Sequence, residues 1–439
     1  MYQKMPTVSL YTLGCKLNFA ETSTLGKEFM DRGFDVVEFG APADVCVINT
    51  CSVTERADRQ CRQVVRRALR TSHNPYVVVT GCYAQLRPDE IARIPGVDLV
   101  LGAREKSALF DFAGSLEKKL YPHVAVSDIK TVGNFGPATT NRGDRTRAYL
   151  KVQDGCDFNC TFCTIPLARG ESRSQSIEAC VAQARELVVE GFREITLTGV
   201  NVGDFGKKSG TTLLALLQHL VTVEGLERIR VSSIEPNLLT EELIRFVADH
   251  PKTCKHFHVP LQSGSDMILR SMRRRYTTDR FAEVIHSIRR RIPECGIGVD
   301  VITGFPGETD PYFEQTCNFL ESLPISYLHV FTYSERPETP AASLAGRVEP
   351  KLRFRRSDVL RMLGHRKKRA FYQNMKGRTV DVLLEHDVQD GCRLGYTDNY
   401  VRVAVPLECT EPNTFVRAEI VGAEDELCRG RMDVSEVAA

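Results

Sequence analysis

Residues 155–163, GCDFNCTFC, place Cys156, Cys160 and Cys163 in the spacing CxxxCxxC. The run 148–153 comes directly before them and predicts a β-strand, so the cysteines begin the loop that follows it. Three thiols this close together do not all serve as core filling. A closed zinc site needs a fourth ligand, and the next dozen residues contain no Cys or His. A [4Fe–4S] cluster with three cysteine ligands, by contrast, leaves one iron open.

An open iron of this kind supports a particular chemistry. The amino group and carboxylate of S-adenosylmethionine (SAM) can chelate it, and an electron from the cluster then cleaves the sulfonium to a 5′-deoxyadenosyl radical. The motif therefore predicts a radical-generating SAM site. A zinc site or a purely structural cluster is the alternative.

Strand and helix patterns alternate six times outward from this motif. Amphipathic helical patterns separate the candidate strands, which are 148–153, 194–198, 229–233, 256–259, 297–302 and 327–332. Six strand–helix units are two fewer than a closed eightfold barrel has. They predict an α/β fold with a partial (β/α)6 barrel over 148–350, whose active residues lie in the loops after the strands.

A second set of cysteines lies in the amino-terminal region, 1–115. The apolar runs 8–13, 45–48 and 77–80 predict buried parallel strands of a doubly wound α/β domain. One cysteine follows each strand: Cys15, Cys51 and Cys82. Because the carboxyl ends of parallel strands face one crevice, these thiols are expected to converge on a second three-cysteine cluster site. Three unrelated turn cysteines are the alternative.

Two clusters with open irons indicate a division of labour. One generates a radical, and the other holds a sulfur atom close to the carbon that loses its hydrogen. The crevice of the first domain should therefore face the barrel mouth. Other cysteines are expected to fill cores, namely Cys46, Cys61, Cys180 and Cys317.

The rest of the chain divides into three segments. Residues 116–147 contain a Gly, Pro, Thr and Asn-rich run that predicts a linker. Residues 351–376 carry ten Lys or Arg against one acid and predict a basic linker helix. Residues 377–439 have short β-rich runs, which predict a small antiparallel barrel of about five strands. With six Arg against thirteen acids, this tail is poor at neutralising phosphates.

Charge thus makes the basic helix 351–376, and a stripe of arginines that includes Arg59, candidates for contact with a polyanion. A solvated helix face is the alternative for both. No apolar run approaches the ~20 residues of a membrane span, and the start of the chain lacks the apolar region of a secretory signal. Fifteen cysteines in such a chain point to the reducing cytoplasm. The lack of an apolar span predicts no membrane partner.

Further motifs extend this interpretation to nearly the whole chain. They are LTGVNVG at 197–203, SSIEP at 232–236, HVPLQSGSDMILRSMRRRY at 258–276, DVITGFPGET at 300–309 and VFTYSERPETPA at 330–341. With the six cysteines, they resemble the radical SAM methylthiotransferases, and the tail resembles the TRAM domain, an RNA-binding barrel. The resemblance implies two [4Fe–4S] clusters. It also implies that one SAM methylates sulfur, a second SAM supplies a radical that takes the C2 hydrogen of adenine, and a flavodoxin or ferredoxin donates electrons.

Within that family, YTLGCKLN and SSIEP are most similar to the branch acting on N6-threonylcarbamoyladenosine at position 37 of tRNA, in the anticodon loop. Isopentenyladenosine-37 of tRNA and a ribosomal protein aspartate are alternative targets. A non-enzymatic iron–sulfur protein that binds RNA or transfers electrons is a further alternative. Two three-cysteine sets argue against it, since electron carriers complete their clusters with four cysteines.

The expected cluster ligands are Cys15, Cys51, Cys82, Cys156, Cys160 and Cys163. The expected SAM contacts are Phe162, Gly199, Asn201, Glu235, Gln262 and Gly304. The alternatives are an acid at a helix N-terminus for Glu235 and a simple tight turn for the GFPGET segment. Aromatic residues beside the cysteines are expected to stack on adenine or to shield a cluster: Tyr83, Phe158 and Phe162. His256 and His258 are expected to make hydrogen bonds rather than to bind metal.

Overall fold

The computed structural model describes residues 5–52, 55–118, 120–133, 135–140, 145–408, 410–424 and 426–432. Its amino-terminal part is a six-stranded parallel sheet in the order β2-β1-β3-β4-β5-β6. The elements of this part are β1 Thr7–Thr12, α1 Lys16–Asp31, β2 Asp35–Val37, β3 Val45–Thr50, α2 Glu55–Thr71, β4 Tyr76–Gly81, α3 Cys82–Leu86, α4 Pro88–Ala92, β5 Leu99–Leu101, α5 Leu109–Ala113 and β6 His123–Ala125.

Helices cover both faces of this sheet. In β3, Val45 and Val47 pack with Phe29 of α1, whereas Cys46 and Ile48 pack with α2 on the opposite side. A strand buried on both faces is continuously apolar, which explains the run at 45–48. The doubly wound prediction is confirmed, and strand order reverses at β1 and β3, where such folds have their crevice. The predicted linker 116–147 is wrong in one respect, because β6 pairs with β5 and extends the sheet beyond residue 115.

The central part is an arc of six parallel strands. Two three-stranded sheets, β11-β10-β7 and β12-β13-β14, are joined by the bridges Ile229–Thr253 and Ser233–His258. This arrangement confirms the partial (β/α)6 barrel. The elements are β7 Ala148–Lys151, β8 Gln153–Asp154, α6 Ile165–Arg169, β9 Arg173–Ser174, α7 Ile177–Val189, β10 Glu194–Thr198, α8 Leu213–Leu220, β11 Arg228–Val231, α9 Glu241–Asp249, β12 His256–Gln262, α10 Asp266–Ser271, α11 Thr278–Arg291, β13 Gly296–Thr303, α12 Asp310–Ser322, β14 Tyr327–Thr332 and α13 Pro350–Gln373.

Barrel strands separate an apolar layer from a polar interior. Ile195 and Leu197 of β10, like Ile229 of β11, belong to the core beneath the helices. Because side chains alternate along a strand, the intervening residues, such as Glu194 and Arg230, point to the other side of the arc. The space enclosed by the arc, called the lumen below, is therefore lined by polar and charged groups.

Helix α13 corresponds to the predicted basic linker helix, but it also packs along β14 and β13 as the last helix of the barrel. Arg353 and Arg356 are buried, with ion pairs to Glu335 and Glu308 at 2.7 and 2.8 Å. These two cations are committed to internal pairs and are not offered to a polyanion.

The carboxyl-terminal part is a closed five-stranded barrel in the order β15-β16-β17-β19-β18. Its strands are β15 Thr379–Gln389, β16 Cys392–Thr397, β17 Arg402–Pro406, β18 Phe415–Glu424 and β19 Leu427–Met432. The sequence of this region predicts a small barrel whose strands all pair antiparallel. The pair β17–β19 is instead parallel, through Val403–Cys428 and Ala404–Arg429, because β19 enters the gap that closes the barrel.

A turn of this small barrel closes one end of the lumen. Arg230 donates to the carbonyls of Thr397 and Asp398 at 3.1 and 2.8 Å. Tyr400, held at a φ of 69°, places its ring 4.8 Å from that of His256. We refer to residues 396–400 as the stopper.

Candidate active site

The loop with the CxxxCxxC motif connects β8 to α6. Gly155, at a φ of 72°, lies so close to the next segment that a Cβ there would be 1.9 Å from the Glu171 carbonyl oxygen. The tight turn brings backbone amides towards sulfur. Phe158 N donates to Cys156 Sγ at 3.4 Å and Ile165 N to Cys163 Sγ at 3.5 Å. Such donors stabilise thiolate ligands.

Burial disfavours the thiolate form of these three cysteines. Burial, together with the neighbouring thiols, raises the pKa of both Cys156 and Cys163 to about 12. Burial also raises the pKa of Cys160, while Arg274 acts against it. Metal ligation requires the thiolate form, so the positive charge of iron would have to hold these three groups ionised. Three thiols in mutual electrostatic contact fit a [4Fe–4S] cluster.

Arg274 is a site residue that the motif analysis missed. Its Nη1 donates to Cys160 Sγ at 3.0 Å, and its Nη2 pairs with Glu235. Its Nε also donates to the hydroxyl of Tyr276 at 3.0 Å. The available signal was the arginine run 273–275 in the HVPLQSGSDMILRSMRRRY motif. Glu235, expected to contact SAM, is therefore linked to the cysteine loop through an arginine.

Unsatisfied polar atoms near the strand ends mark room for a polar ligand. Among the described residues, Asn201 Oδ1, Asp204 Oδ1, Ser232 Oγ and Ser265 Oγ are buried without a hydrogen-bond partner. They follow β10, β11 and β12, at the end of the barrel that carries the cysteine loop. Buried polar groups nearly always have partners, so these residues fit a bound molecule as polar as SAM. Asn201 was among the expected contacts.

The other expected SAM contacts are placed as follows. Gln262 ends β12 with a φ of 71° beside a register shift, a conformation that non-glycine residues adopt at local cost. Phe162 is half-buried, its ring centroid 6.4 Å from that of Phe305. Each remains a predicted contact.

Two of the glycines have a packing role that the sequence did not reveal. A Cβ on Gly199 would lie 2.8 Å from Gln153 Oε1. A Cβ on Gly304, at a φ of 76°, would lie 2.2 Å from Arg353 Cγ of α13. Both glycines are thus required by protein neighbours, whether or not SAM also approaches them.

The structure brings the amino-terminal cysteines together at the switch point of the sheet. Cys15 caps α1, and Cys82 begins α3. A Cβ on Gly14, at a φ of 108°, would lie 2.7 Å from Cys51 Cβ. The pKa of Cys82 is raised, chiefly by burial. Arg169 acts to lower this pKa, and the nearby Cys15 acts to raise it. A second cluster fits this convergence.

A buried charge network joins the two sites. Glu21 of α1 accepts from Arg169 Nη1 at 3.0 Å and pairs with Lys151 at 2.7 Å and Lys106 at 2.5 Å. Arg169 also bonds Asp154 at 3.0 Å, and all five side chains are buried. Because Arg169 and Lys151 come from the barrel, the network holds the crevice of the first domain against the barrel mouth, as predicted.

Arg336, in the loop after β14, binds the segment that follows Cys51. Arg336 donates to Ser52 Oγ at 2.8 Å and to Asp58 Oδ2 at 2.7 Å. Of the two roles predicted for Tyr83, stacking on adenine is wrong. It is 1% exposed, belongs to the core under α2 and donates to Glu90 at 2.9 Å, so it cannot stack on a substrate.

Family models match both halves of this site. One, described as the radical SAM superfamily, matches residues 150–320, and another, described as uncharacterized protein family UPF0004, matches residues 7–102. The radical SAM methyltransferase TsrM from Kitasatospora setae, solved with tryptophan and a SAM analog, has a similar fold. Its TM-score is 0.57 at 15% identity, over 76% of this chain and 75% of that one. The fold and the cysteine loop define a radical SAM enzyme.

Sequence relatives narrow this class. The threonylcarbamoyladenosine tRNA methylthiotransferase MtaB of Bacillus subtilis is 40% identical, over 91% of this chain and 90% of its own. The tRNA-2-methylthio-N(6)-dimethylallyladenosine synthase of Methylacidiphilum infernorum is 33% identical, over 87% and 84%. The chain belongs to the MtaB family of radical SAM methylthiotransferases, which are sulfur-inserting transferases that use SAM and [4Fe–4S] clusters. No helix among the described residues is long and apolar enough to cross a membrane.

Proposed function

We propose that the chain adds a methylthio group to C2 of N6-threonylcarbamoyladenosine at position 37 of tRNA. The observation that carries the proposal is its 40% identity to the Bacillus subtilis enzyme of that name over nearly the full length of both chains. The polar lumen supports it, since a threonylcarbamoyl group ends in a carboxylate and a hydroxyl. An isopentenyl group would favour an apolar pocket.

The six cysteines divide into two proposed ligand sets. Cys156, Cys160 and Cys163 would hold one [4Fe–4S] cluster, and Cys15, Cys51 and Cys82 the other. When bound, the first supplies an electron that cleaves SAM, and the second offers an open iron to sulfur.

The protein's own groups would orient the reaction. Arg274 fixes the position of Cys160 and of Glu235, and the unsatisfied Asn201 and Ser232 would receive polar groups of SAM. The Glu21 and Arg169 network fixes the distance between the two cysteine sets, because its charges cannot separate without leaving buried ions unpaired. Fixed proximity lets the substrate carbon meet sulfur before it meets solvent.

The decisive test is mass spectrometry of tRNA nucleosides from a strain lacking this gene. Loss of the 2-methylthio form of N6-threonylcarbamoyladenosine, with recovery on complementation, is the expected result. An unchanged level of that nucleoside would contradict the proposal.

Methylthiolation of isopentenyladenosine is the second candidate, which the 33% identical relative favours. Loss of the methylthio form of isopentenyladenosine in the same strain would establish it instead.

The remaining partners follow from this chemistry. The reaction would occur in the cytoplasm, where tRNA is modified, and would take single electrons from a flavodoxin or ferredoxin. The TRAM-like barrel and the exposed cations of α13 would contact tRNA. Six of the ten basic residues at 351–376 are exposed: Lys351, Arg355, Arg361, Arg366, Arg369 and Lys376.

A further inference from the structure

The cations of the lumen are nearly all paired within the protein. Arg230 pairs with Glu194 at 2.7 Å, and Arg147 pairs with Glu385 at 3.0 Å. His258 Nε2 lies 2.6 Å from Asp300 Oδ1. These pairs balance the charges of the lumen wall and leave those residues little capacity to hold an anion.

Lys16 differs from these residues. It begins α1 directly after Cys15, where α1 contacts the first barrel strand, β7. Its ammonium interacts electrostatically with Tyr400 of the stopper and with Arg147, Arg230 and Glu194 of the lumen. No carboxylate of the described residues lies within ion-pair distance of it. An anion that joined this ammonium would offset the cost of burying its charge without an ion-pair partner.

A cavity lies beside the stopper. Tyr327, His329 and Tyr400 line both the end of the lumen and a cavity of about 370 Å³ between α13 and the small barrel. That cavity also has Lys368 and Arg402 on its wall. The wall of this cavity therefore carries cations next to Tyr400, the stopper residue that interacts electrostatically with Lys16.

We propose that Lys16 binds the carboxylate of the threonylcarbamoyl group and so selects this adenosine over one with an uncharged N6 substituent. The inference rests on the proposed function. C2 and N6 belong to the same six-membered ring. A base whose C2 faces the cysteine crevice therefore has its N6 substituent within reach of a lysine adjacent to Cys15. A charge-assisted hydrogen bond in a water-poor lumen gives the discrimination.

The test measures binding of anticodon stem-loop RNAs to the cluster-loaded full chain. One RNA carries N6-threonylcarbamoyladenosine, and its partner carries the same group with the carboxylate converted to a carboxamide. The wild-type protein is expected to bind the acid about ten- to hundredfold more tightly, as for other hydrogen bonds to charged groups. In Lys16→Met the difference should vanish, and in Lys16→Arg part of it should remain.

The matched control is Lys27→Met, the same substitution on an exposed position of α1. It should keep the full preference for the acid. If the wild-type protein does not distinguish acid from carboxamide, or if Lys16→Met still does, the inference is overturned. If Lys16→Met loses iron, the test uses the wild-type protein and Lys16→Arg instead. The affinities of these two proteins for the acid RNA and the carboxamide RNA then decide.

Failure of the proposed function gives a different result. If the wild-type protein transfers no methylthio group to the threonylcarbamoyl RNA but modifies an isopentenyl RNA, the proposed function itself is wrong. If it modifies the threonylcarbamoyl RNA while binding acid and carboxamide equally, only the role of Lys16 is wrong.

Discussion

Arg274 connects the cysteine loop to the end of β11, because one guanidinium reaches both Cys160 Sγ and Glu235. Replacing it by Met removes a cation beside the cluster and leaves the Glu235 carboxylate unpaired. We expect Arg274→Met to slow the formation of 5′-deoxyadenosine from SAM about ten- to hundredfold, the effect of losing a hydrogen bond to a charged group. Arg270→Met is the control, since Arg270 is exposed on α10. Equal rates in both variants would contradict this role.

The two cysteine sets predict separable defects. Cys156→Ala should abolish SAM cleavage, because the cluster that cleaves SAM loses a ligand. Cys51→Ala should retain cleavage and lose sulfur insertion, because only the second cluster is damaged. Chromatography of 5′-deoxyadenosine and mass spectrometry of the tRNA product distinguish the two steps. Full product formation in both variants would refute the ligand assignment.

Glu21 has two measurable effects on stability. Burial alone would raise its pKa, but Arg169, Lys106 and Lys151 hold the pKa well below its usual value near 4.5. A pKa that is lower in the folded state stabilises the protein above the unfolded value, and this stabilisation is lost as pH falls below it. Glu21→Gln should therefore cost about 3–5 kcal/mol at neutral pH, since three cations lose a buried partner.

The same substitution should flatten the loss of stability below about pH 4.5, because the titrating carboxyl is gone. Denaturant unfolding at pH 7 and pH 4 measures both effects. Asp31→Asn, on the same helix, is the control, as Asp31 is exposed and forms none of these ion pairs. If the free energy of unfolding of Glu21→Gln fell between pH 7 and pH 4 as steeply as that of the wild-type protein, the network would not govern acid sensitivity.

At the scale of elements, the fit between β13 and the stopper is close. A Cβ on Gly296 would lie 2.1 Å from the Asn399 carbonyl oxygen. Gly296→Ala should therefore displace the small barrel from the end of the lumen and expose the chain near residue 377 to protease. Gly422→Ala, whose Cβ would meet Arg429 Cβ at 3.7 Å, should leave it docked. Limited proteolysis with mass spectrometry checks the difference.

Element positions were predicted well where apolar runs are long. All six barrel strands lie within a few residues of their predicted bounds, and α13 spans nearly all of 351–376. Short strands such as β2 and β6 were missed, because three residues on the edges of a sheet carry too little pattern. The parallel pair β17–β19 could not be foreseen either, since strand order within a small barrel depends on closure rather than on local sequence.

At the scale of the whole molecule, the six cysteines of the site were predictable, because each one lies in a motif or directly after a predicted strand. The charges around them were not. Arg169 and Glu21 are 148 residues apart, and nothing local to either residue indicates the other. The same holds for Arg336 and Ser52, which are 284 residues apart. Long-range pairs of this kind exist only once three separately patterned regions have packed together.

The stopper has a consequence for the order in which the protein matures. A ribosome releases the amino terminus first, so the first domain and the barrel strands emerge well before residues 396–400. During that interval Arg230 lacks its carbonyl acceptors, and one end of the polar interior stays open to water. We expect nascent chains arrested before residue 396 to exchange their inner backbone amides faster than finished chains, with translation of the last segment completing the seal.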